Sequence, residues 1–202
     1  HSLEGAIPIS TILRDYLNVC DTKREAKIIL NDGAVLVDQR VIREPKTAVG
    51  LMDVISLPKM KIHLRTVLDN HGRIQFVDVK ATEAKWKLVR VENKVVVKGG
   101  KTQLNLHDGT NLISDKKVKT GDVLQLSLPN MKIKKILEFK EGAQAFIIGG
   151  AHVGSIAKIK EIEITRSTKP NLVMYDDFQT IKPYSFIVGE KKAMVTLPEV
   201  KI

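Results

Sequence analysis

The stretch Thr22-Lys-Arg-Glu-Ala-Lys-Ile-Ile-Leu-Asn-Asp-Gly-Ala-Val-Leu-Val-Asp38 contains a helix start, a helix end and the beginning of a strand. Thr22 and Glu25 have the spacing of a capping box, in which each side chain binds the other residue's backbone N–H. The apolar residues that follow share one side of the helix and are expected to be buried: Ala26, Ile29 and Leu30. Gly33 is positioned to end the helix, and residues 34–37 are predicted to form a strand.

An apolar stripe upstream predicts a first helix. It follows Pro8, a residue that suits the first turn of a helix. The stripe has the i, i+3, i+4, i+7, i+8 spacing of one helix face and consists of Ile9, Ile12, Leu13, Tyr16 and Leu17. Downstream, residues 41–42 and 53–57 are predicted to be short strands. The first part of the chain is therefore expected to be a two-helix hairpin followed by a small sheet.

The rest of the chain is patterned mainly as strands. Residues 61–68 and 73–79 alternate apolar and polar side chains around a turn, which predicts a hairpin. Residues 81–87 are predicted to form one short helical stretch, and strands resume at 87–91 and 94–97. Later apolar segments have the spacing of a small barrel, at 145–148, 155–159, 171–174 and 185–188. The fold class is predicted to be α+β, mostly β.

A recurring phrase indicates the domain borders. It occurs as Ser56-Leu-Pro-Lys-Met-Lys-Ile62, Ser127-Leu-Pro-Asn-Met-Lys-Ile133 and Thr196-Leu-Pro-Glu-Val-Lys-Ile202. Because proline cannot donate to a sheet, each phrase predicts a strand that ends at Pro58, Pro129 or Pro198. The intervening segments show no convincing self-similarity, which argues against a solenoid. The predicted domains are residues 1–58, 59–129 and 130–202.

The charge is strongly basic and unevenly distributed. The 202 residues carry 33 Lys and Arg against 23 Asp and Glu, a net charge of +10. Residues 1–58 have 7 basic and 8 acidic side chains, residues 59–129 have 14 and 7, and residues 130–202 have 12 and 8. An excess spread through apolar-patterned sequence lies on folded surfaces and indicates a polyanionic partner. The apolar runs are too short for a membrane helix, and the single cysteine, Cys20, excludes an internal disulfide.

No catalytic, cofactor-binding or metal-binding motif is evident. The histidines are not at metal-ligand spacing, and one cysteine cannot build a thiolate cage. Residues 149–155 resemble a phosphate loop only up to the second glycine, because the essential lysine is missing and a strand follows. Glu161 and Glu163 alternate along a predicted strand as its solvated face, and Asp176-Asp177 is expected in a turn.

The first predicted domain resembles the S4 RNA-binding module. The motifs that carry this resemblance are Leu13-Arg-Asp-Tyr-Leu17, Thr22-Lys-Arg-Glu-Ala26, Gly33-Ala-Val-Leu-Val-Asp38 and Asp53-Val-Ile55. The chain departs from the pattern where Gln39 replaces a turn glycine and where Leu51-Met52 separates Gly50 from Asp53. In that family the second helix and the adjoining loop face RNA. The resemblance therefore implies RNA contacts at Arg14, Lys23, Arg24, Lys27 and Arg40.

Longer motifs resemble the archaeal and eukaryotic small-subunit ribosomal protein family S4e over essentially the whole chain. They are residues 50–55, 69–73, 83–88, 148–154 and 100–109, which include the particular phrase Gln103-Leu-Asn-Leu-His-Asp108. The resemblance implies a small helix-hairpin RNA-binding module, a family-specific central β domain and a C-terminal KOW or SH3-like barrel. It implies a non-enzymatic structural component of the cytoplasmic ribosome, of archaeal type, bound to ribosomal RNA (rRNA) and neighbouring ribosomal proteins.

The same resemblance implies no cofactor, no membrane and no small-molecule substrate. The family usually begins with a basic arm, and residues 1–5 resemble the sequence that follows it. We therefore expect an RNA-contacting arm ahead of residue 1.

Lysines near the predicted turns are the candidate phosphate contacts outside the first domain, since Lys and Arg bind phosphate without reading bases. In the central domain these are Lys94, Lys98, Lys101, Lys116, Lys117 and Lys119. In the last domain they are Lys132, Lys134, Lys135, Lys158 and Lys160, to which the KOW resemblance adds Gly154. Aromatics are scarce, which disfavours extensive base stacking. Trp86 and Phe76 are expected in the core, and His107 and His152 in turns.

Two other functions stay open. An RNA-modifying enzyme would carry the S4-like module as an accessory, but it would need a nucleophilic aspartate or a cofactor loop, and neither motif is present. A free regulator of transcription or translation would use the KOW-type barrel to contact a protein. Co-sedimentation with small ribosomal subunits distinguishes a structural component from both.

Overall fold

The computed structural model describes residues 1, 5–165 and 169–197. Strands predominate over helices, which confirms the predicted α+β, mostly β class. The chain divides into two compact units. The first unit comprises His1–Val67, Ile74–Lys87 and Ser127–Lys132. The second unit comprises Leu68–Arg73, Leu88–Leu126 and the described residues after Lys132.

The first unit opens with both predicted helices. β1 (Ala6–Pro8) leads into α1 (Ile9–Thr11), which continues as a π-helix over Ile12–Tyr16. α2 (Lys23–Asn31) begins with the predicted capping box: the Thr22 hydroxyl accepts from the Glu25 N–H at 3.2 Å, and the Glu25 carboxylate accepts from the Thr22 N–H at 3.2 Å. Gly33 follows with a φ of 67°, the left-handed conformation that ends helices.

A five-stranded sheet forms the other layer of the first unit. Its strands are β2 (Leu36–Val37), β3 (Arg40–Val41), β5 (Val54–Leu57), β6 (Ile62–Leu68) and β7 (Ile74–Asp78), and β4 (Ala48–Gly50) lies between β3 and β5 in sequence. β1 pairs with β4, and the remaining strands lie in the order β3-β2-β5-β6-β7. Strands that follow residue 58 therefore extend the sheet of the helical segment.

The turn between β2 and β3 explains one departure from the S4 pattern. Asp38 and Gln39 have φ values of 51° and 62°, so both central residues are left-handed, as a type I′ hairpin turn requires. The Gln39 amide donates to the Ala84 carbonyl at 3.1 Å. Gln39 thus adopts the conformation that glycine usually supplies, and its side chain has an acceptor within the first unit.

The core of the first unit lies between the helices and this sheet. Fully or nearly buried residues from both layers cluster there: Ile9, Ile12, Leu13, Ala26, Leu30, Val37, Ile55, Leu57 and Leu64. Phe76 packs against this cluster, which confirms its predicted place in the core. Trp86 is half-buried, with the Arg65 guanidinium 4.9 Å from its ring centroid. Ile9, Ile12 and Leu13 of the predicted stripe therefore form the inner face of the hairpin, whereas Tyr16 is 47% exposed and meets Phe76 edge-on at 5.0 Å.

A second five-stranded sheet is central to the second unit. Its strands are β8 (Trp86–Val96), β9 (Thr102–Leu106), β10 (Asn111–Ile113), β11 (Val123–Ser127) and β12 (Lys132–Leu137), in the order β10-β9-β8-β11-β12. The predicted strands 87–91 and 94–97 are one strand, since the ladder continues past a bulge between Val91 and Asn93. The predicted helical stretch 81–87 is only a 3-10 turn over Glu83–Lys85, because β8 begins at Trp86.

The C-terminal strands form two small antiparallel sheets. They are β13 (Gln144–Ile147), β14 (Ile156–Lys158), β15 (Glu161–Glu163), β16 (Leu172–Met174), β17 (Gln179–Ile181) and β18 (Ser185–Gly189). The sheets have the orders β14-β13-β18 and β15-β16-β17, consistent with the predicted small barrel. Glu161 and Glu163 are exposed on β15, and Asp176-Asp177 lies between β16 and β17, as expected.

Two of the three recurring phrases can be compared with the structure. β5 ends at Leu57, immediately before Pro58, and β11 ends at Ser127, two residues before Pro129, which confirms that strands end at these prolines. Pro198 and most of the third phrase lie outside the described residues, as do residues 2–4 of the segment that resembles the sequence after the basic arm. Within the described chain, helices fall short of the length and apolarity needed to cross a membrane.

Candidate nucleic-acid interface

Three of the predicted RNA contacts lie on the outer side of α2. Lys23, Arg24 and Lys27 are exposed, whereas Ala26 and Leu30 on the opposite side are fully buried. The capping box fixes where the helix starts, and the buried side fixes its rotation. The three cations therefore share a solvent-facing surface that can meet a polyanion.

Arg14 and Arg40 are placed differently from the α2 cations. The Arg14 guanidinium donates to both carboxylate oxygens of Asp15, at 2.5 and 2.7 Å. This hydrogen-bonded ion pair raises the pKa of Arg14 and lowers that of Asp15. Arg40 is exposed on β3, an edge strand of the first sheet. Arg40 therefore faces solvent, while Arg14 is already partly neutralised.

The turn between β8 and β9 presents two exposed lysines. Lys98 and Lys101 flank Gly99 and Gly100, whose φ values of 86° and 73° need glycine. A Cβ added at either glycine would meet no atom within 4 Å. The backbone of this turn is therefore open to a close approach by another molecule. Lys94, further down β8, instead donates its Nζ to the Val118 carbonyl at 2.7 Å.

The segment between β10 and β11 carries three more predicted contacts. Lys116, Lys117 and Lys119 are all exposed. The Lys116 Nζ lies 3.4 Å from the Ile133 carbonyl, a weak hydrogen bond that leaves its charge accessible. The Lys119 N–H donates to the Asp122 carboxylate at 2.7 Å, which anchors the backbone of this segment. Its lysine side chains are thus displayed from a fixed loop.

The lysines of β12 occupy an edge strand. Lys132, Lys134 and Lys135 are exposed, and Lys135 forms an ion pair with Glu190 at 3.0 Å. Lys132 and Lys134 are two residues apart and therefore lie on the same face of the strand. Exposed lysines on an edge strand also discourage pairing with other strands. These lysines therefore protect the sheet edge and also present positive charge to solvent.

Packing within the second unit explains why position 154 needs glycine. It is buried, with a φ of 83°, and an added Cβ would lie 2.6 Å from the Asp69 carbonyl oxygen. Its N–H donates to the Ile147 carbonyl at 2.8 Å. Contact between Gly154 and RNA stays a prediction. Lys158 and Lys160, on the following segment, are both exposed.

The predicted contacts thus fall on several separate elements rather than on one site. His107 and His152 lie in turns, as predicted. The ring of His107 packs edge-on against Phe186 at 5.3 Å, and that of His152 stacks on Phe178 at 4.2 Å. Both histidines therefore have packing roles in the second unit.

Sequence reasoning missed a buried ion cluster in the first unit. The Lys87 Nζ donates to Asp38 at 2.5 Å and to Asp53 at 3.1 Å, and all three side chains are largely buried. Burial, together with the nearby charge of Asp53, raises the pKa of Asp38 to about 6, against the opposing influence of Lys87. The strand pattern does not signal this burial, since Leu88 and Val89, on opposite faces of β8, are both fully buried.

Arg65 is a second cation that the fold removes from solvent. It is completely buried and donates to the Glu83 and Trp86 carbonyls at 3.1 and 3.0 Å. Burial lowers the pKa of its guanidinium. Two of the chain's 33 basic side chains thus serve the interior of the first unit and cannot contact RNA.

The structure shows little that suits a metal or a small ligand. Among residues 1, 5–165 and 169–197, no group of three His, Cys, Asp or Glu side chains could hold a metal ion. A cavity of about 330 Å³ in the second unit is lined in part by Arg90 and Lys182. Arg90 donates to the Pro183 carbonyl at 2.6 Å, and Lys182 donates to the Thr120 carbonyl at 2.9 Å. Both cations therefore serve acceptors within the protein.

Comparisons with known proteins agree with this picture. The family model "Ribosomal family S4e" matches residues 60–133, and "S4 domain" matches residues 8–55. Small ribosomal subunit protein eS4 of Methanosphaera stadtmanae is 43% identical over 201 residues, covering 98% of this chain and 83% of the relative. The same protein of Methanothermobacter thermautotrophicus is 40% identical over 203 residues, covering 98% of this chain and 84% of the relative.

A solved structure extends the likeness to three dimensions. The crystal structure of the 30S ribosomal protein S4e from Thermoplasma acidophilum matches with a TM-score of 0.82 and 38% identity. The match covers 95% of this chain and 99% of that chain. Sequence and structure agree over nearly the full length, so the chain belongs to the S4e family of ribosomal proteins.

Proposed function

We propose that the protein is a structural component of the small ribosomal subunit, located in the cytoplasmic ribosome, where it binds rRNA. The observation that carries this proposal is the display of exposed lysines on turns and loops of the second unit. The family relatives that match nearly the whole chain are named as small-subunit proteins. Neighbouring ribosomal proteins are proposed as further partners.

The physical basis is phosphate neutralisation on a rigid scaffold. Lys and Arg contacts to phosphate displace condensed counterions, which gives an affinity that depends on salt and not on base sequence. Such contacts fix the position and orientation of the RNA segments that meet the protein. Strands and anchored turns hold the lysines in a fixed arrangement, so binding can stabilise one RNA geometry.

The proposed contact residues are the exposed cations predicted from the sequence. They are Lys23, Arg24, Lys27, Arg40, Lys98, Lys101, Lys116, Lys117, Lys119, Lys132, Lys134, Lys135, Lys158 and Lys160. Arg14 and Lys94 are proposed as weaker contacts, because Asp15 and the Val118 carbonyl already bind them. Gly154 is proposed to shape the loop that approaches RNA.

We also propose that the three domains predicted from the sequence are distinct modules of the protein. Residues 1–58, 59–129 and 130–202 would correspond to the S4-like module, the family-specific segment and the KOW-type segment. We propose no catalytic role for any of them, in keeping with a family that is in general non-enzymatic. A free regulator would instead be found apart from ribosomal subunits.

Density-gradient sedimentation of cell extracts tests the proposed function. The tagged protein is expected in the small-subunit fraction at low salt and to leave it progressively as salt rises. A matched pair of variants sharpens the result: Lys98, Lys101, Lys116 and Lys117 changed to Gln should lower occupancy, whereas Lys59, Lys61, Lys80 and Lys85 changed to Gln should lower it less. Persistent absence of the wild-type protein from the small subunit would refute the proposal.

A further inference from the structure

We infer that one face of the β8–β9–β10 strands docks in the minor groove of an rRNA duplex. This amide face consists of Asn93, Val95, Gln103, Asn105, Asn111 and Ile113. The inference rests on the proposed function and deepens it, because it names a surface with no charged side chain and a class of RNA structure. The candidate contacts predicted from the sequence did not include these six residues.

The strand register assembles the face in two rows. Asn105 lies opposite Asn93 on β8 and opposite Asn111 on β10. Gln103 lies opposite Val95 and Ile113 in the same way. Directly opposed residues of antiparallel strands project to the same side of a sheet. Three asparagines thus form one row, and a glutamine between two aliphatic side chains forms the next.

Burial shows that this face is directed away from the core. Asn93 and Asn111 are exposed, and Val95 and Ile113 are 44% and 63% exposed. Leu104, which lies between the two rows in sequence and points to the other side, is fully buried. The Gln103 amide donates to the Asn105 side-chain oxygen at 3.0 Å, which orders the centre of the face. Exposed aliphatic side chains beside ordered amides are typical of a surface that meets a partner.

A rim of four lysines lies beyond one end of the face. Lys98 and Lys101 lie in the turn at the end of β8, and Lys116 and Lys117 follow the end of β10. Asp115 is the acidic residue nearest to them in sequence. Glu92, at the bulge, forms an ion pair with Arg90 at 2.7 Å. An uncharged face with a basic rim at one end suits a ligand that carries polar and apolar groups beside an anionic edge.

An A-form RNA duplex has this arrangement on its minor-groove side. The groove is wide and shallow and displays ribose 2′-hydroxyls and base edges between two phosphate backbones. Asn and Gln amides both donate and accept, so they can pair with a 2′-hydroxyl in either sense. Val95 and Ile113 would pack against ribose carbons, and the rim lysines would reach phosphates. A single strand is disfavoured because the face has no aromatic side chain on which bases could stack.

Binding to matched RNA and DNA duplexes tests the inference. The full chain is titrated onto a short RNA duplex and onto a DNA duplex of the same sequence, with fluorescence anisotropy as the readout. The wild-type protein is expected to prefer RNA. Changing Gln103→Met and Asn111→Leu should weaken RNA binding ~10-fold, which corresponds to one or two hydrogen bonds. DNA binding and the salt slope should stay unchanged, because no charge is altered.

The matched control changes two exposed amides elsewhere, Asn130→Leu and Gln179→Met, and should leave the RNA preference intact. Circular dichroism and the fluorescence of Trp86 show whether each variant is folded. Should the double variant misfold, Asn111→Ala alone replaces it.

Equal loss of RNA and DNA binding in a folded variant would overturn the inference. So would unchanged RNA binding accompanied by loss of a protein neighbour in the assembled subunit, which would identify the face as a protein contact. If the wild-type protein co-sediments with small subunits but does not prefer RNA, this inference fails and the proposed function stands. If it does not co-sediment, the proposed function fails as well.

Discussion

Both units expose basic side chains, but the first unit also buries two of its cations among carboxylate and carbonyl groups. The first unit removes Lys87 and Arg65 from water and gives them carboxylate or carbonyl partners. The second unit places lysines such as Lys98, Lys101 and Lys117 on turns and loops where they are exposed. Residues of the same charge therefore serve two purposes: Lys87 and Arg65 belong to the interior, whereas exposed cations of either unit are available to a polyanion. A charge count by segment does not reveal this difference, because it cannot tell a buried cation from an exposed one.

Removing the buried cation should have the largest effect. Lys87→Met leaves the Asp38 and Asp53 carboxylates buried together without their shared partner, and we expect the first unit to lose about 3–5 kcal/mol of stability. Urea unfolding followed by the fluorescence of Trp86, which lies in the first unit, measures this loss. The control is Lys85→Met, which changes an exposed lysine nearby and should cost less than about 0.5 kcal/mol.

A triple variant shows whether the loss of stability comes from carboxylates left buried without a counterion. Lys87→Met combined with Asp38→Asn and Asp53→Asn removes all three charges and should recover part of the loss, since a neutral cluster carries no uncompensated ion. A triple variant no more stable than Lys87→Met alone would contradict the assignment of Lys87 as the counterion of these carboxylates.

Neutralising exposed lysines should weaken RNA binding without unfolding the protein. Changing Lys98, Lys101, Lys116 and Lys117 to Gln should lower affinity for small-subunit rRNA by ~10–100-fold at moderate salt and make the log–log salt slope shallower by about 2–3. Filter binding over a salt series measures both quantities. The first-unit set Lys59, Lys61, Lys80 and Lys85, changed to Gln, is the control. Equal effects of the two sets of substitutions would contradict the proposal that the four second-unit lysines contact RNA.

Two glycines of the second unit allow the energetic cost of a steric clash to be compared with the cost of a left-handed backbone alone. Gly99 and Gly154 have φ values of 86° and 83°, but an added Cβ meets nothing at Gly99 and lies 2.6 Å from the Asp69 carbonyl at Gly154. Gly99→Ala should therefore cost ~1 kcal/mol from the left-handed conformation alone, and Gly154→Ala about 1–2 kcal/mol more. Hydrogen exchange at the Ile147 and Gly154 amides measures the difference. Similar costs would show that the Gly154 loop shifts easily.

The buried ion cluster of the first unit makes stability depend on pH through Asp38. The pKa of Asp38 is raised from 3.8 to about 6, so the folded state holds this proton more tightly than the unfolded chain does. Stability should therefore fall, by at most about 3 kcal/mol, as the pH rises through that interval. Asp38→Asn should remove this decline, while Asp78→Asn, an exposed control on β7, should keep it. A decline that persists in Asp38→Asn would contradict the assignment.

Local features could be predicted from the sequence. Thr22 and Glu25 predicted the start of α2, and Pro58 and Pro129 predicted where two strands end. These features depend on residues close together in the chain, so pattern and propensity were sufficient. The alternation around β6 and β7 likewise predicted a hairpin, although its membership in the first sheet was not apparent.

Features that depend on distant residues could not be predicted. Lys87 is buried because Asp38 and Asp53, 49 and 34 residues away, converge on it. Gly154 needs to be glycine because the Asp69 backbone lies against it. The two rows of the amide face are defined by the pairing register of β8, β9 and β10, which the sequence alone does not give. Among the lysines predicted to bind RNA, only the structure shows that the Lys94 ammonium already donates to the Val118 carbonyl.

Site-specific crosslinking in the assembled small subunit tests the proposed RNA contacts of the second unit most directly. A photoreactive residue is introduced singly at positions 98, 101 and 117, and at positions 59, 80 and 85 for comparison. We expect the second-unit positions to crosslink to rRNA and the comparison positions to do so much less. Crosslinks to rRNA only from positions 59, 80 and 85, or from none of the six, would contradict the proposed RNA contacts of the second unit.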